Sequence, residues 1–274
     1  MPIDLNGPLL LAGAGKMGAA LLEGLLAKGL LPADVRVQEP HPTPDLIHFL
    51  NRHGIQPEPA IEALDRPPGV ILAAVKPQVM DEVFPSLARL SGPETIVVSI
   101  AAGRSIASFE RHLAPGRAVV RAMPNTPAQV GRGITACCAN GATSERQRQI
   151  TTHLMQSVGE VVWLEDESLM DAVTAVSGSG PAYVFYLVEC LAAAGREQGL
   201  ADDLAQKLAR ETVSGAGELL HRSALSASTL RANVTSPGGT TAAALEVLMD
   251  DNGLSQLMRR AVDAAVRRSR ELSQ

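Results

Sequence analysis

Aromatic residues are scarce in this chain: four Phe, two Tyr and one Trp, 3% of 274 residues. A core of that kind has to close with Ala, Leu, Val and Gly. Such side chains suit close helix–helix and helix–sheet packing and argue against an aromatic β-sandwich. Long basic runs are missing, and the net charge is −5. Sequence-independent nucleic-acid binding needs clustered Lys and Arg, so it is not expected. No run of about 18 apolar residues appears, so no membrane span is expected. The first residues lack a basic segment followed by an apolar stretch of the signal-peptide kind. Cysteine is rare: Cys137, Cys138 and Cys190 are all there is. An odd number without a spacing pattern speaks against a disulfide framework or a zinc site, and the expectation is reduced, buried thiols. His41, His48, His53, His112, His153 and His221 show no metal-ligand spacing and read as surface residues. No metal is expected, and the chain reads as soluble and cytoplasmic.

What the chain does have is 46% hydrophobic residues, arranged at first as alternating strand and helix signals. Short apolar runs at residues 8–12, 35–39, 70–74, 94–100 and 117–122 read as strands. Met17 to Lys28, closing at Gly29, and Pro44 to Arg52, closing at Gly54, read as helices between them. That alternation implies βαβ units and a parallel sheet. Further strands are expected at 134–139 and 160–164, with a helix from Ser144 to Ser157 between them. Trp163 is expected to pack against a helix. Beyond Leu164 the strand signals stop, and long helices are expected at 181–198, 202–221 and 255–272. The reading is therefore α/β: a doubly wound Rossmann-like domain over 1–164, then an all-helical domain over 165–274. Tyr183, Val184, Phe185, Tyr186, Leu187 and Val188 are consecutive, so one helix is apolar on several sides. Such a helix must be buried, and about 110 residues supply too little protein to bury several of them. Oligomerisation through this domain is expected.

Gly13-Ala14-Gly15-Lys16-Met17-Gly18 is a G-x-G-x-x-G between a strand and a helix. The first glycine permits a tight turn, the second lets a pyrophosphate approach, and the third brings helix against strand. A dinucleotide is expected there, NADPH or NADH. Glu39 ends the second strand, about 20 residues on, where a carboxylate accepts a hydrogen bond from a ribose 2′-OH and repels a 2′-phosphate. Arg36, His41 and Arg52 are near enough in sequence to serve a phosphate instead, so both cofactors stay open. Ala74-Val75-Lys76-Pro77, Ala101-Ala102-Gly103 and Pro124-Asn125-Thr126-Pro127 end successive strands, where open α/β sheets bind ligands. Lys76 suits phosphates or ribose, and Asn125, in a proline-stiffened loop, suits a nicotinamide edge.

Ser236-Pro237-Gly238-Gly239-Thr240-Thr241 is the rarer feature. Two glycines let backbone N–H groups approach a ligand, and three hydroxyls add donors. The apolar run from Ala242 to Met249 places a helix N-terminus at its end, which favours a carboxylate.

These motifs, with Ser99-Ile100 before Ala101, Arg121-Ala122-Met123 before Pro124, Asp171 to Tyr183, and Val234 to Thr241, together resemble pyrroline-5-carboxylate reductase. The resemblance runs from about residue 8 to residue 273. It implies a Rossmann domain followed by a helical dimerisation domain that interlocks with a partner copy. It also implies reduction of 1-pyrroline-5-carboxylate to L-proline by NAD(P)H, the last step of proline biosynthesis. On this resemblance Ser236, Gly238, Gly239 and Thr240 hold the substrate carboxylate, and Thr241 stands near the ring nitrogen as the catalytic residue. Asn233 falls close to cofactor and substrate, and Glu167 near the substrate amine. Two departures are visible. Ile61 stands where some members carry Asn or Ser on the adenosine side, and Glu39 stands where members that use NADPH are often uncharged. A β-hydroxyacid dehydrogenase shares the architecture but needs a catalytic lysine in its helical domain, where this chain has only Lys207. A dinucleotide sensor without activity would bind cofactor yet need neither Ser236 nor Thr241.

Overall fold

The computed structural model describes residues 4–272. Eight strands form one sheet in the order β3-β2-β1-β4-β5-β6-β7-β8. They are β1 (Leu9–Ala12), β2 (Val35–Gln38), β3 (Pro57–Glu58), β4 (Val70–Ala73), β5 (Ile96–Ser99), β6 (Ala118–Met123), β7 (Gly133–Ala139) and β8 (Gly159–Trp163). The sheet is not wholly parallel. β7 runs antiparallel to β6, with Met123 opposite Ala136, while every other pair is parallel. The expectation of a parallel sheet fails at that pair for a geometric reason. Only a short turn of 3-10 helix, Thr126–Val130, joins β6 to β7, and a parallel crossover needs a dozen or more residues.

Alternate residues of each strand face opposite sides, so the sheet has two cores. Leu9, Leu11, Leu72 and Val98 face one side, packed with α1 (Lys16–Ala27), α2 (Pro44–Arg52) and, from further along the chain, residues 150–155. Leu10, Ile71, Val97 and Val119 face the other, against α3 (Met80–Ala88) and α4 (Ile106–Glu110). There Phe84 and Phe109 meet edge to face at 4.9 Å. The helix carrying Ile150 and Leu154 is α5 (Glu145–Met155). Ser144 caps it in a reciprocal box with Gln147. The expected packing of Trp163 is present: its Nε1–H donates to Thr152 Oγ1 of α5 at 3.0 Å.

The remaining helices are α6 (Met170–Val173), α7 (Gly180–Glu197), α8 (Asp202–Arg222), α9 (Ala227–Asn233), α10 (Thr240–Leu248) and α11 (Leu254–Leu272). A π-turn, Thr174–Gly178, lies between α6 and α7. The chain divides into two compact units. The first runs through Gly178 and takes in the chain again from Val266, and the second spans Ser179–Ala265. The first unit thus extends past residue 164, because Met170 and Ala175 are fully buried and Met170 belongs to the second core cluster. The C-terminal end of α11 is also held there: Ser269 Oγ donates to Asp171 Oδ1 at 2.6 Å.

The second unit is all helix and has almost no core of its own. Ala192, Ala205 and Ala209 are buried where α7 meets α8, while Val184, Phe185, Tyr186, Leu187 and Leu191 of α7 lie exposed. Cys190 is exposed as well, unlike Cys137 and Cys138, which β7 buries. Burial pushes the Cys137 thiol up to about 12. Among the described residues no helix is long and apolar enough to cross a membrane.

Candidate active site

The first unit gathers the predicted cofactor residues at the C-terminal ends of β1, β4 and β5. Gly13 follows β1 with φ +84°, a backbone state that disfavours any side chain. A Cβ there would stand 2.7 Å from Val75 N and 2.8 Å from Ala74 O, so the turn lies directly on the Ala74-Val75 segment. A Cβ on Gly18 would stand 2.4 Å from Gly13 O, so the third glycine brings α1 against the turn. Gly15 differs. It caps α1 with no side-chain hydrogen bond, and no heavy atom lies within 4 Å of where its Cβ would be. The open space therefore lies over a helix N-terminus with unpaired N–H groups. Ala14 is buried, Lys16 exposed and Met17 half-buried. This arrangement fits a dinucleotide pyrophosphate.

Glu39 leans across from the end of β2. Its Oε2 accepts the Ala14 N–H at 3.0 Å, and its Oε1 accepts the His41 N–H at 3.2 Å. Lys76 is exposed at the start of a 3-10 turn, Pro77–Val79. Ala101 is buried, Ala102 exposed, and Gly103 lies close to Leu272 at the end of α11. Asn125 is engaged within the protein. Its Nδ2 donates to Ser177 O and Oγ at 3.3 Å each, and its Oδ1 accepts the Ile134 N–H at 3.0 Å. It ties the loop after β6 to the π-turn and to β7. Glu167 accepts two donors on Oε1, Ile106 N–H and Arg121 Nη1, both at 2.9 Å.

The second unit carries the other cluster. Ser236 to Gly239 forms a β-turn closed by Gly239 N–H to Ser236 O at 3.0 Å. Pro237 stands second and Gly238 third with φ +70°, the arrangement of a type II turn. Gly239 then caps α10 with no side-chain bond. The N–H groups of Thr240, Thr241 and Ala242 precede the first intrahelical bond, from Ala243 N–H to Gly239 O. Thr241 is half-buried, while Ser236 and Thr240 are exposed. Among the described residues, no hydrogen bond takes the side chains of Asn233, Ser236, Thr240 or Thr241. Donors clustered at one turn without internal partners could hold an anion.

Comparison with known proteins settles the family. A family model described as pyrroline-5-carboxylate reductase dimerisation matches residues 167–272. A second, described as NADP oxidoreductase coenzyme F420-dependent, matches residues 9–103. The pyrroline-5-carboxylate reductase of Pseudomonas aeruginosa is 40% identical over 268 residues, 96% of this chain and 95% of that protein. The chain belongs to the pyrroline-5-carboxylate reductase family. A solved structure of the Coxiella burnetii reductase matches with TM-score 0.87 and 33% identity, covering 98% of this chain and 99% of that one. The Plasmodium falciparum pyrroline carboxylate reductase, solved with NADP bound, matches with TM-score 0.81 and 28% identity, covering 98% and 99%.

Arg121 was not among the candidate residues legible in the sequence. It appeared only inside a motif, as one Arg in an apolar strand. A charged residue in a buried strand is itself a signal, because it demands a partner. That partner is Glu167. Lys207, the residue a β-hydroxyacid dehydrogenase would need, lies exposed in the second turn of α8.

Proposed function

We propose that this chain reduces 1-pyrroline-5-carboxylate to L-proline with a hydride from NAD(P)H. The observation that carries the reading is the Ser236–Gly239 turn feeding an uncapped helix N-terminus, with hydroxyl and N–H donors that have no internal partner. The substrate is a cyclic imine bearing a carboxylate. Ser236, the Gly238 N–H and Thr240 grip the carboxylate and fix the orientation of the ring, while the Gly239 N–H, bonded to Ser236 O, closes the turn that aims them. The Thr241 hydroxyl bonds the ring nitrogen. The protonated imine brings its own proton to that nitrogen, so no strong acid is asked of the loop. The Gly13–Gly18 turn holds the pyrophosphate, and Lys76, Ala101, Ala102 and Gly103 line the ends of β4 and β5 beside it. The dinucleotide supplies the hydride. The family resemblance adds Asn233 in the helical unit and, in the first unit, Glu167, held in place by Arg121 and by the Ile106 N–H.

The exposed apolar face of α7 supports a homo-oligomer formed through the helical unit. Three free thiols and a dependence on reduced nicotinamide support a cytoplasmic setting. Oxidation of NADH and of NADPH, followed separately with 1-pyrroline-5-carboxylate, tests the function, with the six-membered imine analogue as control. Turnover with the five-membered imine is expected. No turnover with either cofactor overturns the reading.

A further inference from the structure

We propose that Glu39 makes this chain select NADH over NADPH. The inference deepens the reading above and rests on the dinucleotide lying along the Gly13–Gly18 turn. Two observations carry it. The first is where the carboxylate stands. Glu39 Oε2 takes the N–H of Ala14, the second residue of the glycine fingerprint, at 3.0 Å, and Oε1 takes the His41 N–H at 3.2 Å. The group is therefore fixed between the end of β2 and the first βα turn. Doubly wound folds place the adenosine ribose there, and an acidic group at that point bonds the ribose 2′-OH. Each oxygen still has a lone pair to offer. A 2′-phosphate at the same point meets a fixed negative charge.

The second observation is the fate of the cations that sequence reading left as rivals. Arg36 is engaged: its Nε and Nη2 donate to Glu58 Oε1 at 2.8 and 2.6 Å. Glu58 belongs to β3, and its carbonyl accepts the Glu39 N–H at 2.8 Å, so the Arg36–Glu58 pair sits beside this edge with its charges matched. Arg52 ends α2, nine residues long, with its guanidinium 6.0 Å from the Phe49 ring centroid. The loop after β2 meets the opposite end of that helix, about 13 Å away at 1.5 Å per residue. Lys16 and His41 are exposed, and among the described residues no ion pair joins either to Glu39. The adenosine end thus offers a carboxylate in place and no arginine free to hold a 2′-phosphate.

The test is equilibrium binding without substrate. NADH and NADPH are titrated separately into the wild type and into Glu39→Gln, read by calorimetry. The wild type is expected to bind NADH roughly ten- to a hundredfold more tightly, the scale of one like-charge contact at a half-exposed site. Glutamine keeps an oxygen for the Ala14 N–H but loses the charge, so the preference is expected to fall by about tenfold or more, chiefly through tighter NADPH binding. Competition of 5′-ADP and 2′,5′-ADP against NADH on the wild type repeats the comparison without a variant, and 5′-ADP is expected to win. Equal or tighter NADPH binding by the wild type, or an unchanged ratio in Glu39→Gln, overturns the inference. Turnover of the imine with NADPH preferred sinks this inference and leaves the reductase reading standing. Preferred NADH binding without turnover does the reverse, and binding of neither dinucleotide overturns both.

Discussion

Arg121 Nη1 lies 2.9 Å from Glu167 Oε1, joining the interior strand β6 to the segment that precedes α6. The Arg121 side chain is 9% exposed, so its charge depends on this partner. Glu167→Ala leaves a buried guanidinium unpaired and frees the Ile106 N–H. We expect a loss of about 2–3 kcal/mol in urea unfolding, the low end for a buried pair because Glu167 keeps some exposure. Glu167→Gln keeps an acceptor for both donors and is expected to unfold nearer to wild type. If Glu167 also meets the substrate, kcat/KM of Glu167→Gln falls while its stability changes little. Parallel losses in both quantities would make the residue purely structural.

Gly15 and Gly18 belong to one fingerprint but have opposite surroundings. A Cβ at Gly18 would stand 2.4 Å from Gly13 O, a backbone atom that cannot step aside. Gly18→Ala is therefore expected to destabilise the fold, by about 1–3 kcal/mol as for other overpacked sites. Gly15→Ala meets open space and should leave the melting temperature near wild type. Its new methyl stands where the pyrophosphate approaches, so the dinucleotide Kd is expected to rise. A Gly15→Ala variant that binds as tightly as wild type would move the pyrophosphate away from this turn.

How much of this was legible in the sequence depended on whether the signal was local. The strands around Leu9–Ala12 and Val70–Ala73 were, because an apolar run bounded by turn residues needs no partner to be recognised. Helix α2 was read to the residue, from Pro44 to Arg52 with Gly54 beyond it. What was not legible came from tertiary pairing. β3 is two residues long and begins with Pro57, so it exists only because β2 offers an edge. Helix α3 contains Pro85, which discourages a helical reading, yet Phe84 and Leu87 bury against the sheet. The antiparallel turn of β7 depends on a short connection that no periodicity reveals. The turn at Ser236 was readable because Pro-Gly-Gly writes its backbone geometry into the residue types. The engagement of Arg36 with Glu58 and of Asn125 with Ser177 was not, because those partners lie 22 and 52 residues away.

Phe185 of α7 is 62% exposed in the single chain. Phe185→Glu therefore costs the isolated unit little packing. If the apolar face is the oligomer contact, the substitution buries a carboxylate without a partner in the assembly. Light scattering after size exclusion is expected to show an oligomer for wild type and a smaller species for Phe185→Glu. A wild type that runs as a monomer would refute the oligomer reading.

Gly238 has φ +70° at the third position of its turn, and no heavy atom lies within 4 Å of where its Cβ would be. The penalty of Gly238→Ala is thus conformational alone, about 1–2 kcal/mol for a left-handed residue. The turn is exposed and has no core to lose. Global unfolding should shift little, while the turn itself relaxes and its amides lose their aim. KM for the imine is then expected to rise more than kcat falls, since carboxylate binding is the role proposed for the turn. A fall in kcat with an unchanged KM would assign the turn to the chemical step instead.

Thr241 separates binding from chemistry most directly. It is the second residue of α10, half-buried, and no hydrogen bond among the described residues occupies its hydroxyl. Thr241→Ala therefore breaks no internal hydrogen bond, and the melting temperature should stay near wild type. The hydroxyl's proposed partner is the ring nitrogen, which is charged in the reacting iminium. Losing one hydrogen bond to a charged group costs about 1.5–3 kcal/mol, so kcat/KM is expected to fall roughly ten- to a hundredfold. Thr241→Ser retains the hydroxyl and should recover most of that loss. If the bond forms mainly as the nitrogen's bonding changes during reduction, kcat carries the effect and KM hardly moves. Unchanged kinetics in Thr241→Ala would remove the residue from the mechanism, and failure of Thr241→Ser to recover would point to the methyl group rather than the hydroxyl.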